Sequence, residues 1–341
     1  MALKNLPGVL VPWYRENRRE LPWRADTEPY HIWVSEIMLQ QTRVEAVKGY
    51  YARFLQRLPD IESLANCDDD ELHKLWEGLG YYSRVRNLKQ AAGVIMERHA
   101  GLFPRAYDAV RALPGIGDYT AGAVCSIAFG QPRAAVDGNV LRFLSRLRAD
   151  SEPIDLPAVK NRVRTELEAV YPADSSGEFT QALMELGATV CLPNGEPKCA
   201  ECPCGEFCLG REDWQSYPVK LPKKAKKQED RTVFLLRCGD TWAIEKRPGK
   251  GLLAGLWQFP NVAGHLGPEE AVRWAEDRGL HPKNVERSID RHHIFTHIRW
   301  DLRGWFLEVG EAAGGYTWLT LEEIDEQAAL PTAFRQFREE I

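Results

Sequence analysis

Residues 113–117 read Leu-Pro-Gly-Ile-Gly and lie between two segments with helical patterns, at about 106–112 and 118–129. One proline and two glycines so close together predict a tight turn. Gly117 directly precedes the second segment, and the backbone N–H groups at a helix N-terminus can face a phosphate oxygen. By itself the pentapeptide also fits an ordinary helix–helix turn, so its interpretation depends on the surrounding sequence.

Asp137 follows the turn in the sequence AAVDGNVLRFLSR. One helix between them would return the chain to the turn, so we expect Asp137 to lie beside it. An aspartate before Gly138-Asn139 is also a good helix N-cap. A turn of this composition followed by an aspartate resembles the helix–hairpin–helix DNA glycosylases, in which that aspartate both caps a helix and takes part in catalysis.

A second carboxylate occurs in the apolar segment Tyr30–Thr42, which contains Glu36. Burial of a carboxylate without a partner is costly. Glu36 is therefore either an ion-paired helix residue or a general acid whose pKa is raised by an apolar pocket. Together with Asp137 it would form the kind of carboxylate pair that cleaves glycosidic bonds.

Four cysteines are spaced C-x7-C-x2-C-x5-C, which suits a single metal centre. Structural zinc often uses two close cysteine pairs, whereas this segment has one such pair and wide flanking gaps. An iron–sulfur cluster is larger and suits a wide loop. A branch of the helix–hairpin–helix glycosylases that the chain resembles carries C-x6-C-x2-C-x5-C around such a cluster, one residue shorter in the first gap than here. This resemblance favours one [4Fe–4S] cluster, with zinc or no metal as alternatives. The implied ligands are Cys191, Cys199, Cys202 and Cys208, with Cys204 as an additional thiol.

The chain has 341 residues, which is too long for one ordinary core and predicts more than one domain. We predict a helical region at 1–215, a solvated basic linker at 216–230 and an α+β domain at 231–341. The lysines between Lys220 and Lys227 either tether the domains or contact DNA phosphates.

Composition narrows the class of protein. Hydrophobic residues make up 44% and charged residues 27%, which is typical of a globular enzyme and excludes a wholly disordered chain. The sequence has no apolar run long enough for a membrane-spanning helix and no secretion-signal pattern at the N-terminus, so we expect a cytoplasmic protein of bacterial type. The formal net charge is −5, so binding to DNA must depend on local sites.

Four segments in order resemble the adenine DNA glycosylase (MutY) family: VSEIMLQQTRV, GLGYYSRVRNL, LPGIGDYTAGAV and VDGNVLR. The similarity is dense over 10–210 and looser beyond. It implies a mainly helical helix–hairpin–helix domain with an iron–sulfur loop, in which a six-helix part at about 28–136 is inserted into a part formed by 1–27 and 137–215. It also implies a Nudix-like C-terminal domain.

The resemblance also implies roles for single residues. Glu36 would protonate N7 of adenine, and Asp137 would stabilise the positively charged sugar or bind it transiently. Tyr119 would donate a hydrogen bond to Asp137, and Asn139 would help to hold the sugar and a water molecule. Because Tyr119 cannot form the imine that a lysine forms in strand-cutting relatives, the enzyme would remove the base without an efficient lyase step.

The substrate implied by the resemblance is double-stranded DNA with adenine opposite 8-oxoguanine or guanine, bound by a monomer. The adenine must leave the base stack before it can react. Gln41 and Tyr81 would enter the duplex near the partner base, and Gly115 and Gly117 would contact its backbone. The pocket for adenine would be formed by Arg19, Leu21, Trp23, Arg24, Val44 and Gln181.

The C-terminal region resembles a Nudix-like domain in the segments LLAGLWQFPNV and EEAVRWAEDRGL. The catalytic Nudix pattern is degenerate there, since only Glu276 and Asp277 remain, so we do not expect metal-dependent pyrophosphatase activity. The resemblance implies instead that Phe295, Thr296 and His297 recognise 8-oxoguanine. Two other functions remain open: a bifunctional glycosylase/lyase for oxidised pyrimidines, and a catalytically silent iron–sulfur protein that binds lesions.

Overall fold

A computed structural model describes residues 3–222 and 225–341. The chain forms two compact bodies. The first comprises Met1–Asn66 and Arg86–Pro222, and the second comprises Cys67–Val85 and Lys223–Ile341. Among the described residues, no helix is both long and apolar enough to cross a membrane.

The part of the chain before the C-terminal sheet is helical, as predicted. Its helices are α1 (Leu6–Asn17), α2 (Pro29–Leu39), α3 (Val44–Arg57), α4 (Ile61–Asn66), α5 (Asp69–Leu75), α6 (Ser83–Arg98), α7 (Tyr107–Arg111), α8 (Asp118–Phe129), α9 (Gly138–Arg148), α10 (Pro157–Glu168) and α11 (Ser176–Thr189).

The predicted turn joins α7 to α8. Gly115 has φ +74°, in the left-handed region that favours glycine, and a Cβ there would lie 2.5 Å from Cβ of Asn87. Gly117 is the N-cap of α8 and is exposed. The turn therefore brings the start of α8 to the surface of the first body with its N-terminal backbone groups accessible.

A hydrophobic core in the first body is formed by residues of α1, α9, α10 and α11. Tyr14, Phe143 and Phe179 are all buried in it, and the core extends to Cys191 and Cys204. Burial of such large side chains is the main favourable term in folding. It holds the N-terminus of α9, where Asp137 lies, at a fixed position relative to α11.

The elements of the second body's C-terminal part are β1 (Lys227–Cys238), β2 (Thr241–Lys246), β3 (Trp257–Gln258), β4 (Asn261–Ala263), α12 (Pro268–Glu276), β5 (Pro282–Ile294), β6 (Ile298–Val309), β7 (Thr317–Thr320), α13 (Leu321–Gln327) and α14 (Thr332–Arg338). The strands form a seven-stranded mixed sheet with the main order β3-β2-β1-β6-β5. Strands β1 and β6 are parallel, β4 pairs with β1, and β7 pairs with β2. Helix α12 packs on one face, where Phe234 stacks on Trp274, and α13 and α14 pack on the other.

The segment expected to be a linker is ordered at both ends. The backbone N–H of Ile154 donates to the carbonyl of Val219, and that of Leu221 donates to Asp155. Strand β1 already begins at Lys227, because its backbone pairs with β6. Lys223 and Lys224 of the expected basic run lie outside the described residues.

Candidate active site

Glu36 is buried on α2 and is hydrogen-bonded to a tyrosine in the first turn of α8. Its side chain is 6% exposed, and the hydroxyl of Tyr119 donates to its Oε2 over 2.6 Å. Burial and, to a smaller extent, the nearby charge of Asp137 raise the pKa of Glu36 to about 7, against the lowering effect of the Tyr119 hydrogen bond. Near neutral pH, a large fraction of Glu36 is therefore protonated and can donate a proton.

Asp137 is the N-cap of α9, as predicted. Its Oδ1 accepts a hydrogen bond from the backbone of Val140 over 2.8 Å, and its Oδ2 accepts one from the Asn139 amide over 2.7 Å. Burial raises the pKa of Asp137, and these two hydrogen bonds oppose that rise because they stabilise the ionised form.

The predicted hydrogen bond from Tyr119 to Asp137 is wrong. The hydroxyl of Tyr119 has one proton, and it is directed to Glu36 instead. Asp137 nevertheless lies close enough for its charge to raise the pKa of Tyr119. The four side chains thus form one group, in which Tyr119 contacts the expected acid and Asn139 contacts the expected sugar-stabilising carboxylate.

Arg142, which the sequence analysis did not identify, connects this group to the cysteine segment. Its Nη2 donates to Oδ1 of Asn139 over 2.9 Å and to the carbonyl of Gly187 over 2.7 Å, and its Nε donates to the carbonyl of Cys191 over 3.0 Å. A Cβ at position 187 would lie 2.6 Å from that of Asn139, so glycine is needed for this close approach of α11 to α9.

Glu185 on α11, also unidentified from the sequence, holds two expected pocket residues. Its buried carboxylate accepts hydrogen bonds from Arg19 over 2.7 Å and 2.8 Å, and from Arg24 over 2.8 Å. These bonds lower the pKa of Glu185 to about 2, although burial acts in the opposite direction. Arg24 also lowers the pKa of Glu36, which places its charge near the expected acid.

The other expected pocket residues lie on neighbouring elements. Gln181 accepts a hydrogen bond from the Tyr14 hydroxyl over 2.9 Å, and the guanidinium of Arg24 lies over the Tyr14 ring. Trp23 is buried edge-on against Tyr51, with ring centroids 5.5 Å apart. Leu21 is buried, and Val44 is the partly exposed first residue of α3.

Both residues expected to enter the duplex have unusual backbone conformations. Gln41 has φ +60° and Tyr81 has φ +48°, and both side chains are exposed, Tyr81 to 49%. Non-glycine residues adopt this left-handed region at an energetic cost, and such residues cluster at functional sites. Gln41 belongs to the first body and Tyr81 to the second.

The cysteine segment lines one cavity of about 390 Å³, including space open to solvent. Arg146 donates a hydrogen bond to Sγ of Cys191 over 3.4 Å and is itself buried, and Arg211 also lines the cavity. Cationic neighbours favour the thiolate form that binds metals. The thiols around this cavity are those of Cys191, Cys199, Cys202, Cys204 and Cys208.

Within residues 3–222 and 225–341, no group of three or more histidine, cysteine or acidic side chains is arranged to hold a metal ion. The thiols instead surround a common space. Cys204 is fully buried and forms a hydrogen bond with Cys202 that lowers the pKa of the Cys202 thiol to about 7. A set composed only of thiols around one cavity has the soft donors that an iron–sulfur cluster requires.

The residues expected to read the lesion form the turn between β5 and β6. The ring of Phe295 packs edge-on against Trp300, at 4.9 Å between centroids, and the Phe295 backbone N–H donates to the carbonyl of Ile298. Thr296 and His297 are exposed at the tip. Phe295 therefore anchors the turn, and its two neighbours present their polar groups to solvent.

Two families match the chain. The HhH-GPD superfamily of base excision DNA repair proteins matches residues 34–170, and the NUDIX domain family matches residues 232–340. The helical fold is also similar to a thermostable thymine-DNA glycosylase, at 29% identity and a TM-score of 0.57 over 62% of this chain and 97% of that one. An endonuclease III–DNA complex shares the fold, at 21% identity and a TM-score of 0.53, over 63% of this chain and 99% of that one.

Curated relatives cover most of the chain. The adenine DNA glycosylase of Homo sapiens is 33% identical, over 96% of this chain and 72% of its own length. That of Buchnera aphidicola (Acyrthosiphon pisum symbiont) is 32% identical, over 85% of this chain and 83% of its own. With its glycosylase fold and its Nudix-like domain, the chain belongs to the adenine DNA glycosylase family.

Proposed function

We propose that this DNA glycosylase of base excision repair hydrolyses the N-glycosidic bond of adenine opposite 8-oxoguanine or guanine, without an efficient strand-cutting step. One observation carries the proposal: the protonatable Glu36 lies beside the hydrogen-bonded carboxylate of Asp137. This is the acid and carboxylate combination that departure of a base from a sugar requires.

In the proposed reaction, the adenine rotates out of the duplex and Glu36 transfers its proton to N7. The C1′–N9 bond then breaks, and its electron pair leaves with the base. Asp137 stabilises the positive charge that develops on the sugar. Water then adds at C1′ and transfers a proton to the ionised carboxylate of Glu36, which restores the acid and leaves an abasic site.

The proposed lack of lyase activity rests on Tyr119. A strand-cutting glycosylase needs an amine that forms an imine with C1′. Tyr119 occupies the position where such relatives have lysine, and its phenol donates to Glu36. Burial and the two nearby carboxylates raise the pKa of Tyr119 well above its usual value, so the phenol is not a nucleophile at neutral pH.

We further propose that one [4Fe–4S] cluster is bound through Cys191, Cys199, Cys202 and Cys208. The donor set and the cavity described above support it, as does the hydrogen bond from Arg146 to Cys191. When bound, such a cluster links the cysteine loop covalently. Arg142 and Arg146 of α9 hold this loop against the helix, because they donate to the carbonyls of Cys191 and Leu192.

The proposed partner is duplex DNA, bound by a monomer, and the proposed location is the cytoplasm. One assay tests the function: end-labelled duplexes with adenine opposite 8-oxoguanine, adenine opposite guanine, or an oxidised pyrimidine are incubated with the purified protein. We expect breaks at adenine only after alkali treatment. Alkali-independent breaks at oxidised pyrimidines would support the bifunctional alternative, and intact strands in every duplex would support a silent lesion-binding protein.

A further inference from the structure

The segment Cys67–Val85 contains Tyr81 and belongs to the same compact body as the C-terminal sheet. We propose that Asp70 and Glu77 are positioning residues for Tyr81. They attach this segment to the Nudix-like domain, which is expected to read the lesion. That domain would then also determine the direction of the Tyr81 side chain, which is expected to enter the duplex. This inference rests on the proposed function, in which Tyr81 enters DNA.

The first contact joins the start of α5 to the sheet. Asp70 Oδ1 accepts a hydrogen bond from the indole N–H of Trp257 over 3.2 Å, and its carboxylate lies 2.8 Å from Nζ of Lys246. The ammonium of Lys246 also lies over the Trp257 ring. A carboxylate that accepts hydrogen bonds from both an indole N–H and an ammonium group is restrained in its position and in its orientation.

The second contact joins the end of α5 to the segment before α14. Glu77 Oε1 accepts a hydrogen bond from the backbone N–H of Leu330 over 2.9 Å, and its Oε2 accepts one from Lys74 over 2.6 Å. The Glu77 side chain is only 13% exposed. Removal of this acceptor would leave a partly buried backbone N–H without its partner, which is costly.

A chain of contacts leads from α5 to Tyr81. Trp76, the C-cap of α5, is fully buried, and its indole N–H donates to the carbonyl of Gly80 over 3.1 Å. Arg84 donates to the carbonyls of Leu79 and Gly80, and its guanidinium lies over the rings of both Trp76 and Tyr81. Gly80, which directly precedes Tyr81, therefore accepts hydrogen bonds from both Trp76 and Arg84.

The backbone of Tyr81 explains why such support matters. Its φ of +48° is unfavourable for a residue with a side chain, and a conformation of this kind persists only where the surrounding structure enforces it. Asp70 and Glu77 do not contact the Tyr81 ring in the described contacts, and they act through Trp76 and Gly80. If the segment is loosened, Tyr81 can relax to a conformation with negative φ and its ring changes direction.

The test measures base unstacking directly. A duplex has adenine opposite 8-oxoguanine and a 2-aminopurine as the next base of the 8-oxoguanine strand, which fluoresces when it is unstacked. All proteins carry Asp137→Asn so that the DNA stays intact. We expect binding of the parent protein to raise the fluorescence, and expect both Tyr81→Ala and the double variant Asp70→Ala/Glu77→Ala to reduce that rise. Glu286→Ala, which breaks an ion pair of 2.6 Å with Arg237 elsewhere in the same body, is the matched control.

The decisive measurement is a double-mutant cycle. In otherwise active protein, Asp70→Ala/Glu77→Ala should lower the preference for adenine opposite 8-oxoguanine over guanine by roughly five- to tenfold, the effect of losing a partly buried acceptor. When Tyr81 is already alanine, the same pair of changes should have no further effect. Should the pair reduce the melting temperature strongly, Trp257→Phe with Lys246→Met removes the two donors to Asp70 and keeps most of their apolar contacts.

The outcomes separate this inference from the proposed function. If Tyr81→Ala leaves the fluorescence rise unchanged, Tyr81 does not enter the duplex and that part of the proposed function fails. If Tyr81→Ala lowers the rise but the changes at Asp70 and Glu77 do not, the positioning inference fails alone. It also fails if those changes act equally strongly with and without the tyrosine ring, because their effect is then a general loss of structure.

Discussion

The hydroxyl of Tyr119 donates a hydrogen bond to Oε2 of Glu36 over 2.6 Å, so this tyrosine directly affects the acidity of the expected general acid. The bond stabilises the ionised form of Glu36, whereas burial and the charge of Asp137 stabilise the protonated form. The balance leaves the pKa of Glu36 at about 7.

The pH dependence of excision should follow from this balance. Because the protonated form of Glu36 is the proton donor, the single-turnover rate should fall as the pH rises through about 7. Tyr119→Phe removes a hydrogen bond that lowers the pKa of Glu36, so the fall should move to higher pH. Tyr171→Phe, which removes a buried hydroxyl that contacts Thr180, is the control. A fall that stays in place or moves to lower pH in Tyr119→Phe would contradict this account.

Arg142 should matter for excision because it donates a hydrogen bond to Asn139, which contacts Asp137. Arg142→Ala leaves Asn139 and two backbone carbonyls without a donor, and each unsatisfied group costs about 1–3 kcal/mol. We expect the single-turnover rate to fall about tenfold or more. Arg148→Ala, on the same helix, breaks only a partly exposed ion pair with Glu166 and should have little effect. Equal rates for the two variants would show that Arg142 does not support the active site.

The cysteine assignment predicts a brown protein with the four iron atoms per chain of a [4Fe–4S] cluster. Cys202→Ser should abolish iron binding. Cys204→Ser, two residues away and on the same cavity, should retain it and serves as the control. Iron and zinc are measured by elemental analysis after anaerobic purification. Stoichiometric zinc without iron would overturn the cluster.

The turn between β5 and β6 should affect discrimination rather than bond cleavage. Thr296→Ala with His297→Ala should lower the preference for 8-oxoguanine over guanine by roughly ten- to a hundredfold, the effect of losing a pair of hydrogen bonds to a base edge. Both residues are exposed, so the melting temperature should hardly change. Rates on both mispairs are compared at one salt concentration. Thr317→Ala, an exposed threonine of β7, is the control, and an unchanged preference in the double variant would exclude the turn from lesion reading.

Local sequence signals predicted much of the fold and the centre of the site. The Pro-Gly turn, the N-cap position of Asp137 and the apolar surroundings of Glu36 all depend on neighbours in the chain, and the structure agrees with each. Strand β5 gives little signal in the sequence over most of its length, because none of its residues is buried and many are charged, a pattern that differs little from a loop.

Contacts between residues that are far apart in the chain could not be predicted from the sequence. Glu185 meets Arg19 across 166 positions of the chain, and neither residue has a local feature that indicates the other. In the sequence, nothing distinguishes Arg142 from an arginine on the surface of a helix. Its role depends on α11 and the cysteine segment, whose carbonyls accept its hydrogen bonds. The hydrogen-bond partner of the Tyr119 hydroxyl could not be predicted for another reason. Glu36 and Asp137 both lie near it, and the spacing of residues in the sequence does not indicate which of them accepts.

The most direct test of the central claim is single-turnover excision of adenine opposite 8-oxoguanine by the Asp137→Asn variant. Asparagine caps a helix as well as aspartate does, so α9 and the affinity for the duplex should be retained. The variant loses a negative charge that is needed mainly in the transition state, and we expect excision to fall by several orders of magnitude. Near-wild-type excision by a variant that binds the duplex normally would show that Asp137 does not stabilise the sugar, and the account of the active site would be wrong.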